Sequence, residues 1–432
     1  MNHQRIKMAI VKRAESLEEI YDIFDPRQPL KGETLNKFYV SPYKANERFK
    51  TLFEKLKKPI LKSKGSDKFL FGGFKGCGKS TELNRLCEDE EIMNRFLVVK
   101  FSIRDKLNIA DFDYKDLLMV CTAEIYNCAK AKNIKINEEV LKAIENWAFQ
   151  LTVINTEKEE EKIEVGAGIG LGIDLIFAKV LGWIKFGSEM RKEMRKEIEP
   201  KIPELLGHIN RMLGEIKRKT DVLLVVEDID KLYVGDAEKL FSSYASPFLQ
   251  LNCKAIFTFP FALMLSPNWG IVSRTFANPI ILPNVTIHEK RSNKKVEENY
   301  AIMREIFMKR ANENLIAQDA LDECIKYSGG VIYDFIRIIR NAANHASVEE
   351  NNKIEKNDVK ITIMEMRENY TFLNEEHIEK LKYVYKKKEL SMGKGEEGSK
   401  SVMELLGSLS VLKYYNSEEW FDVHPIIEYK MK

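Results

Sequence analysis

Charge of one sign is what this 432-residue chain most lacks. Lysine and arginine number 69 against 66 acidic residues, a formal net charge of +3. A balance so near neutrality excludes wholesale electrostatic coating of nucleic acid and leaves room only for a local basic patch. Cysteine is sparse as well: Cys77, Cys87, Cys121, Cys128, Cys253 and Cys324 are scattered, with no C-x-x-C pair. That argues against structural zinc and against a disulfide framework. The start, Met1-Asn2-His3-Gln4-Arg5, carries charge with no apolar core behind it, so no signal peptide is expected and the expected location is cytoplasmic. No internal repeat is found. A membrane span would need about 20 predominantly apolar residues. The segment 163–187 comes nearest and is interrupted by Asp174, Lys179 and Lys185, so a membrane partner is not expected.

What the chain does have is a phosphate loop. Gly73-Phe74-Lys75-Gly76-Cys77-Gly78-Lys79-Ser80 is a complete G-x-x-x-x-G-K-[ST] pattern. Lys68-Phe69-Leu70-Phe71-Gly72 before it has strand character, and Ser80-Thr81-Glu82-Leu83-Asn84-Arg85-Leu86 after it reads as helix. Strand, glycine turn and helix N-terminus make an anion cradle, because backbone N–H groups point inward and the helix dipole adds positive charge. Gly73, Gly76, Cys77, Gly78, Lys79, Ser80 and Thr81 are the expected nucleotide contacts. Lys79 would reach the β- and γ-phosphates and the Ser80 hydroxyl would ligate Mg²⁺. No Asn/Thr-Lys-x-Asp guanine signal accompanies the loop, so ATP is the expected nucleotide.

A chain of this length, 44% hydrophobic and 31% charged, reads as soluble and globular with more than one domain. Residues 1–64 form a polar lead-in, in which Phe38-Tyr39-Val40 is either an adenine contact or core. Residues 65–285 alternate strand-like and helix-like runs, the mark of a doubly wound α/β domain, with strands expected at 69–72, 96–101, 222–226, 255–259 and 280–282. An insertion at about 105–200 holds a helical stretch, 114–130, and an apolar/polar alternation from Ile163 that predicts a strand hairpin over 163–187. The charged run 189–197 reads as a solvated helix face. A helical lid is expected over 286–352, and 353–432 ends in helix–strand–turn–strand order after a flexible loop at 393–398, which suits a winged helix. His208 and His424 read as packing residues.

A second motif lies about 150 residues beyond Ser80. Asp221-Val222-Leu223-Leu224-Val225-Val226-Glu227-Asp228-Ile229-Asp230-Lys231 is a buried strand ending in acids. Carboxylates at the C-terminal edge of a parallel strand are placed for the Mg²⁺ shell and the attacking water. Glu227 is the expected metal ligand beside Ser80, and Asp228 or Asp230 the residue that positions water.

This order of motifs resembles the AAA+/STAND class of P-loop ATPases, particularly the branch related to origin-recognition initiators and to ATPases of prokaryotic conflict systems. The resemblance runs over about 38–432 and is specific only at the two phosphate-site motifs. It implies a P-loop NTPase core with a parallel sheet, then a helical lid and a C-terminal winged-helix-like domain. It implies that Thr258 senses the γ-phosphate, and that Arg274 is either an arginine finger acting on a neighbouring subunit or a surface arginine. A finger implies a homo-oligomer.

The chain departs from the family in three places. Glu227 stands where an aspartate is usual, Asp228 where a glutamate is usual, and Tyr333 where a sensor arginine would fall, with Arg337 one turn on as its substitute. Looser metal and water geometry then implies slow hydrolysis. The expected function is an ATP-held switch controlling a protein partner or effector, in antiviral defence or another conflict system; no effector motif is visible in the chain. The alternative is an ATP-gated DNA-binding protein resembling a replication initiator. It rests on the winged-helix-like end, Arg337 and Arg340, with Glu418, Glu419 and Asp422 opposing it and Lys386-Lys387-Lys388 compensating.

Overall fold

The computed structural model of the chain describes residues 11–156, 172–391, 395–416 and 418–431. They gather into two compact units. A sheet unit comprises Leu56–Gly72 and Cys87–Ile280; a loop unit comprises the described residues up to Lys55, Gly73–Leu86 and those from Ile281 on.

The sheet unit is built on β1 (Lys68–Gly73), β2 (Phe96–Ser102), β3 (Asp221–Glu227), β4 (Lys254–Pro260) and β5 (Ala277–Leu282). They form a parallel five-stranded sheet in the order β2-β3-β4-β1-β5. All the expected strands are present, each slightly longer than its apolar run. β3 lies between β2 and β4, and Val222–Val226 are fully buried. A strand paired on both edges and covered on both faces selects a continuous apolar run rather than an alternating one.

Between β2 and β3 stand the helices Tyr114–Ala131, Glu138–Thr156, Ile173–Phe186, Ser188–Ile198 and Ile202–Lys217. The first is the expected helix. The third overturns the strand hairpin predicted over 163–187, of which 163–171 lie outside the described residues. Ile173–Phe186 buries Ile173, Ile176, Phe177, Val180 and Ile184, a helical stripe at spacings of three and four. Leu175, which fitted the alternation, is 62% exposed. The apolar positions beyond Leu175 follow the helical period, and that longer pattern decides the structure. Among the described residues no helix is long and apolar enough to cross a membrane.

The solvated face expected at 189–197 is corrected at its arginines. The Arg191 side chain is 3% exposed and sits 2.6 Å from Asp111 Oδ2. Arg195 is 2.9 Å from Asp111 Oδ1 and 2.5 Å from Asp116 Oδ2. Two like charges one turn apart are tolerated because Asp111 is shared between them.

The loop unit holds the helices Glu297–Arg310, Gln318–Tyr327, Ile332–Val348, Lys356–Arg367, Glu375–Lys387 and Gly395–Gly407. It ends in the antiparallel hairpin β6 (Val411–Asn416) and β7 (Glu418–Val423). The flexible loop expected at 393–398 is overturned from Gly395 on, where the helix Gly395–Gly407 starts; 393 and 394 lie outside the described residues. The buried stripe Val402, Leu405 and Leu406 carries that helix, outweighing about 1 kcal/mol per glycine.

The hairpin packs Tyr414 and Trp420 on Val331 and Leu412. The Tyr414 hydroxyl donates to the Gly329 carbonyl at 2.7 Å. Gly330 has φ +74°, and a Cβ there would stand 1.8 Å from the Val285 carbonyl oxygen. Only glycine fits that turn. His424 is fully buried, 3.3 Å from Asp334 Oδ2, and His208 is buried beside Arg211, both packing residues as expected.

Candidate functional site

In the loop unit the chain leaves Gly73, turns through Gly76 and Gly78, and enters the helix Lys79–Cys87. Gly76 takes φ +78°, and a Cβ there would lie 2.5 Å from Tyr333 Cβ. The Tyr333 N–H donates to the Gly76 carbonyl at 3.0 Å. The helix Ile332–Val348 therefore starts directly on the phosphate loop. Lys79 is buried, and its ammonium donates to the carbonyls of Gly73 at 3.1 Å and Phe74 at 2.9 Å.

The N-terminal segment is sewn onto this loop. The Leu30 N–H donates to Thr81 Oγ1 at 3.3 Å, and Asn84 Nδ2 donates to the Leu30 carbonyl at 2.8 Å. The buried Tyr43 hydroxyl stands 3.0 Å from the Cys77 carbonyl and 3.3 Å from that of Pro283, bracing the loop from below. Beside the loop opens a pocket. The N-terminal segment contributes Leu30, Phe38, Tyr39, Val40 and Pro42; the loop and helix start contribute Cys77, Gly78, Thr81 and Glu82; later helices contribute Ile306, Arg310 and Ile332. Phe38-Tyr39-Val40 thus lines the pocket, and Phe38 is at the same time core.

Polarity in the pocket wall is largely satisfied. The Tyr39 hydroxyl donates to Glu82 Oε1 at 2.7 Å and accepts from Arg85 Nη1 at 2.9 Å. The Arg85 guanidinium lies 3.8 Å from the Phe53 ring centroid. Burial raises the Glu82 carboxyl above its ordinary range, opposed by the hydrogen bond from Tyr39 and the charge of Arg85. Tyr333 rests on the loop, whereas Arg337 does not line the pocket. Burial raises the Tyr370 phenol, and Arg337 acts against that.

In the sheet unit the acids follow β3. Glu227 Oε2 is 2.8 Å from Lys100 Nζ, which reaches it from β2. Asp228 takes the left-handed conformation, φ +67°, tolerated by aspartate. Its Oδ2 accepts from the Ser102 hydroxyl at 2.5 Å. Asp230 is 4% exposed in the following turn. Thr258 on β4 is buried; its Oγ1 accepts from the Ile229 N–H at 3.0 Å and lies 3.5 Å from the Val226 carbonyl. Its hydroxyl holds the turn that carries Asp228 and Asp230. Arg274 is exposed on the helix Trp269–Thr275 and has no hydrogen bond or ion pair among the described residues. No group of three or more His, Cys, Asp or Glu there could hold a metal unaided. A Mg²⁺ held by Ser80 would depend on phosphate oxygens, as that ion commonly does.

Tyr43, Glu82 and Arg310 were not legible as site residues. Each lies outside both motifs, and an arginine at a helix C-terminus is what the helix dipole alone would favour.

No family model and no curated protein matches the chain. Among solved structures it is similar to Cdc6p from Pyrobaculum aerophilum, at 13% identity over 95% of each chain with a TM-score of 0.41. It is similar to the Aeropyrum pernix Orc1 protein in complex with DNA, at 12% identity over 95% of each chain with a TM-score of 0.42. Drosophila ORC bound to DNA is similar at 9% identity over 100% of this chain and 95% of that chain, with a TM-score of 0.44. Likeness at that level leaves the function to the chain's own residues.

Proposed function

We propose that this chain is an ATP-binding, slowly hydrolysing switch that controls a protein partner. The observation that carries this reading is the docking of the Tyr333 N–H on the Gly76 carbonyl. The same stretch runs back through Val331 and Gly329, on which Tyr414 and Trp420 of the hairpin pack. Whatever occupies the loop therefore bears on the start of a long helix and on the hairpin behind it, which is what a nucleotide-held switch requires.

In this reading Lys79 exchanges its two loop carbonyls for β- and γ-phosphate oxygens. Ser80, with the phosphates, would hold a Mg²⁺, and Glu227, paired to Lys100, is the acid that the second motif would offer as its ligand. That ion would neutralise charge developing on the phosphates. Asp228, fixed by Ser102 and by the turn that Thr258 holds, or Asp230 beside it, positions the attacking water. Arg274, exposed and unpaired, is the finger offered to a second copy. Ordinary turnover would lie below about 10 s⁻¹, the median enzyme value.

The hairpin favours a protein partner over DNA. Glu418, Glu419 and Asp422 are matched by Lys290 at 3.1 Å, Lys413 at 2.9 Å and Lys388 at 2.7 Å. Of the lysines expected to attract phosphate, Lys388 is spent on Asp422. A place in antiviral defence rests on the family resemblance alone.

The test is phosphate release across a wide range of protein concentration, beside Lys79→Ala and Arg274→Ala. Turnover that rises with concentration and vanishes in both variants is the expected result. Loss in the Lys79 variant only would remove the finger and the oligomer from the proposal. Duplex binding with a steep salt dependence, unaffected by Lys79→Ala, would replace the switch with the DNA-binding reading.

A further inference from the structure

Arg310 ends the helix Glu297–Arg310 and is 9% exposed. Its Nε is buried without a hydrogen-bond partner, and no carboxylate pairs with its guanidinium among the described residues. Among the described residues the charge meets only the Phe24 ring, 5.9 Å to the centroid, at the limit of a cation–π interaction. A buried charge left so is costly, and burial alone brings this guanidinium down to about 10. Three other arginines meet carboxylates. Arg304, earlier on the same helix, is 2.7 Å from Asp322, and Arg191 and Arg195 share Asp111.

The unpaired guanidinium lines the pocket beside the loop, together with Cys77, Gly78 and Thr81. Those residues are the end of the phosphate loop and the first turn of its helix, where N–H groups and the helix dipole already favour an anion. Lys79 and Ser80, which serve the far phosphates, do not line this pocket. The nucleotide part that fits here is the sugar and its first phosphate. Of the acceptors in that part, the anionic one offsets a buried cation most, because charge-assisted hydrogen bonds are the stronger kind.

We infer that Arg310 binds the α-phosphate of the nucleotide held by this loop, donating to one of its non-bridging oxygens. This rests on the ATP reading above and adds a ligand outside both sequence motifs. It makes the pocket a reader of the first phosphate: nucleoside mono-, di- and triphosphates engage Arg310 alike, and a free nucleoside does not.

The experiment is calorimetric titration of the full chain with adenosine, AMP, ADP and ATP, in the native protein, Arg310→Met and Arg310→Lys, with thermal unfolding of each free of nucleotide. Arg310→Met should weaken AMP, ADP and ATP by a common factor of about 10–100, the range for a hydrogen bond to a charged group, and leave adenosine unchanged. Arg310→Lys should recover part of the loss. Without nucleotide, Arg310→Met should unfold no earlier than the native protein, since an unpaired buried charge gives way to an apolar side chain of similar length. Equal losses for adenosine and AMP would place the contact on the sugar or base and overturn the inference. An earlier unfolding midpoint with no selective loss for phosphorylated ligands would make Arg310 structural and overturn it too. If the native protein binds none of the four, the ATP reading itself fails; if it binds them and Arg310→Met binds them equally, only the role of Arg310 fails.

Discussion

Replacing Gly76 with alanine is expected to weaken nucleotide binding by about 30- to 150-fold while the sheet unit stays folded. Two effects combine at this position. The backbone sits at φ +78°, where a Cβ strains the chain, at about 1–2 kcal/mol per residue. The new Cβ would also meet Tyr333 Cβ at 2.5 Å and Val331 Cγ1 at 3.0 Å. Both are anchored at the start of a helix and neither is the free end of a flexible side chain. Either the loop flattens or the helix start retreats, and a retreat breaks the bond from the Tyr333 N–H to the Gly76 carbonyl, worth about 1 kcal/mol.

The two effects separate experimentally. Tyr333→Gly removes the Cβ that collides but not the backbone strain, so the double variant Gly76→Ala/Tyr333→Gly should regain part of the lost affinity. Titration with ADP over the four-member cycle reads the coupling directly. Additive losses, with no coupling between 76 and 333, would mean that the helix start does not respond to the loop. The switch reading would then lose the observation that carries it.

The sheet and the phosphate loop were legible because single rules govern them. Continuous apolar runs mark central strands, and the G-x-x-x-x-G-K-[ST] spacing marks a cradle whose glycines the backbone itself requires. The hairpin was legible for a similar reason, with apolar residues either side of Asn416-Ser417. Illegible was whatever depends on partners far along the chain. Tyr43 braces Cys77 from 34 residues away, and Arg310 reaches the pocket more than 200 residues after the loop. The segment from Ile163 misled because two periods overlapped in it, with Ile173 fitting both. The charged run 189–197 misled because local spacing cannot show Asp111, some 80 residues earlier, arriving to pair with its arginines.

Asp111→Ala is expected to destabilise the fold more than Asp116→Ala, although Asp116 is the deeper residue. Asp111 alone touches both arginines: Arg191 Nη2 at 2.6 Å and Arg195 Nη1 at 2.9 Å. Burial acts to raise its carboxyl, but hydrogen bonds from Arg195 and Arg191 outweigh that and hold it below the ordinary range. Without it Arg191 keeps, among the described residues, the Ile184 carbonyl at 3.0 Å and no carboxylate, while Arg195 keeps Asp116 and, at 4.0 Å, Asp113. Breaking a fully buried pair costs about 3–5 kcal/mol. Asp111 is 39% exposed, so water screens part of the loss, and about 2–3 kcal/mol is expected after that discount. Asp116 is only 3% exposed, and burial pushes its carboxyl up to about 6 against the opposing pull of Arg195. Removing it sheds a desolvated carboxyl and leaves Arg195 still held by Asp111, so its loss should be the smaller. Urea midpoints followed by helix signal, in both single variants and in Asp111→Ala/Arg191→Met, decide the matter. Recovery in the double variant would show that the unpaired arginine, rather than the missing carboxylate, is what destabilises. An Asp116 variant that unfolds at lower urea than the Asp111 variant would place the weight of the clasp on the wrong acid.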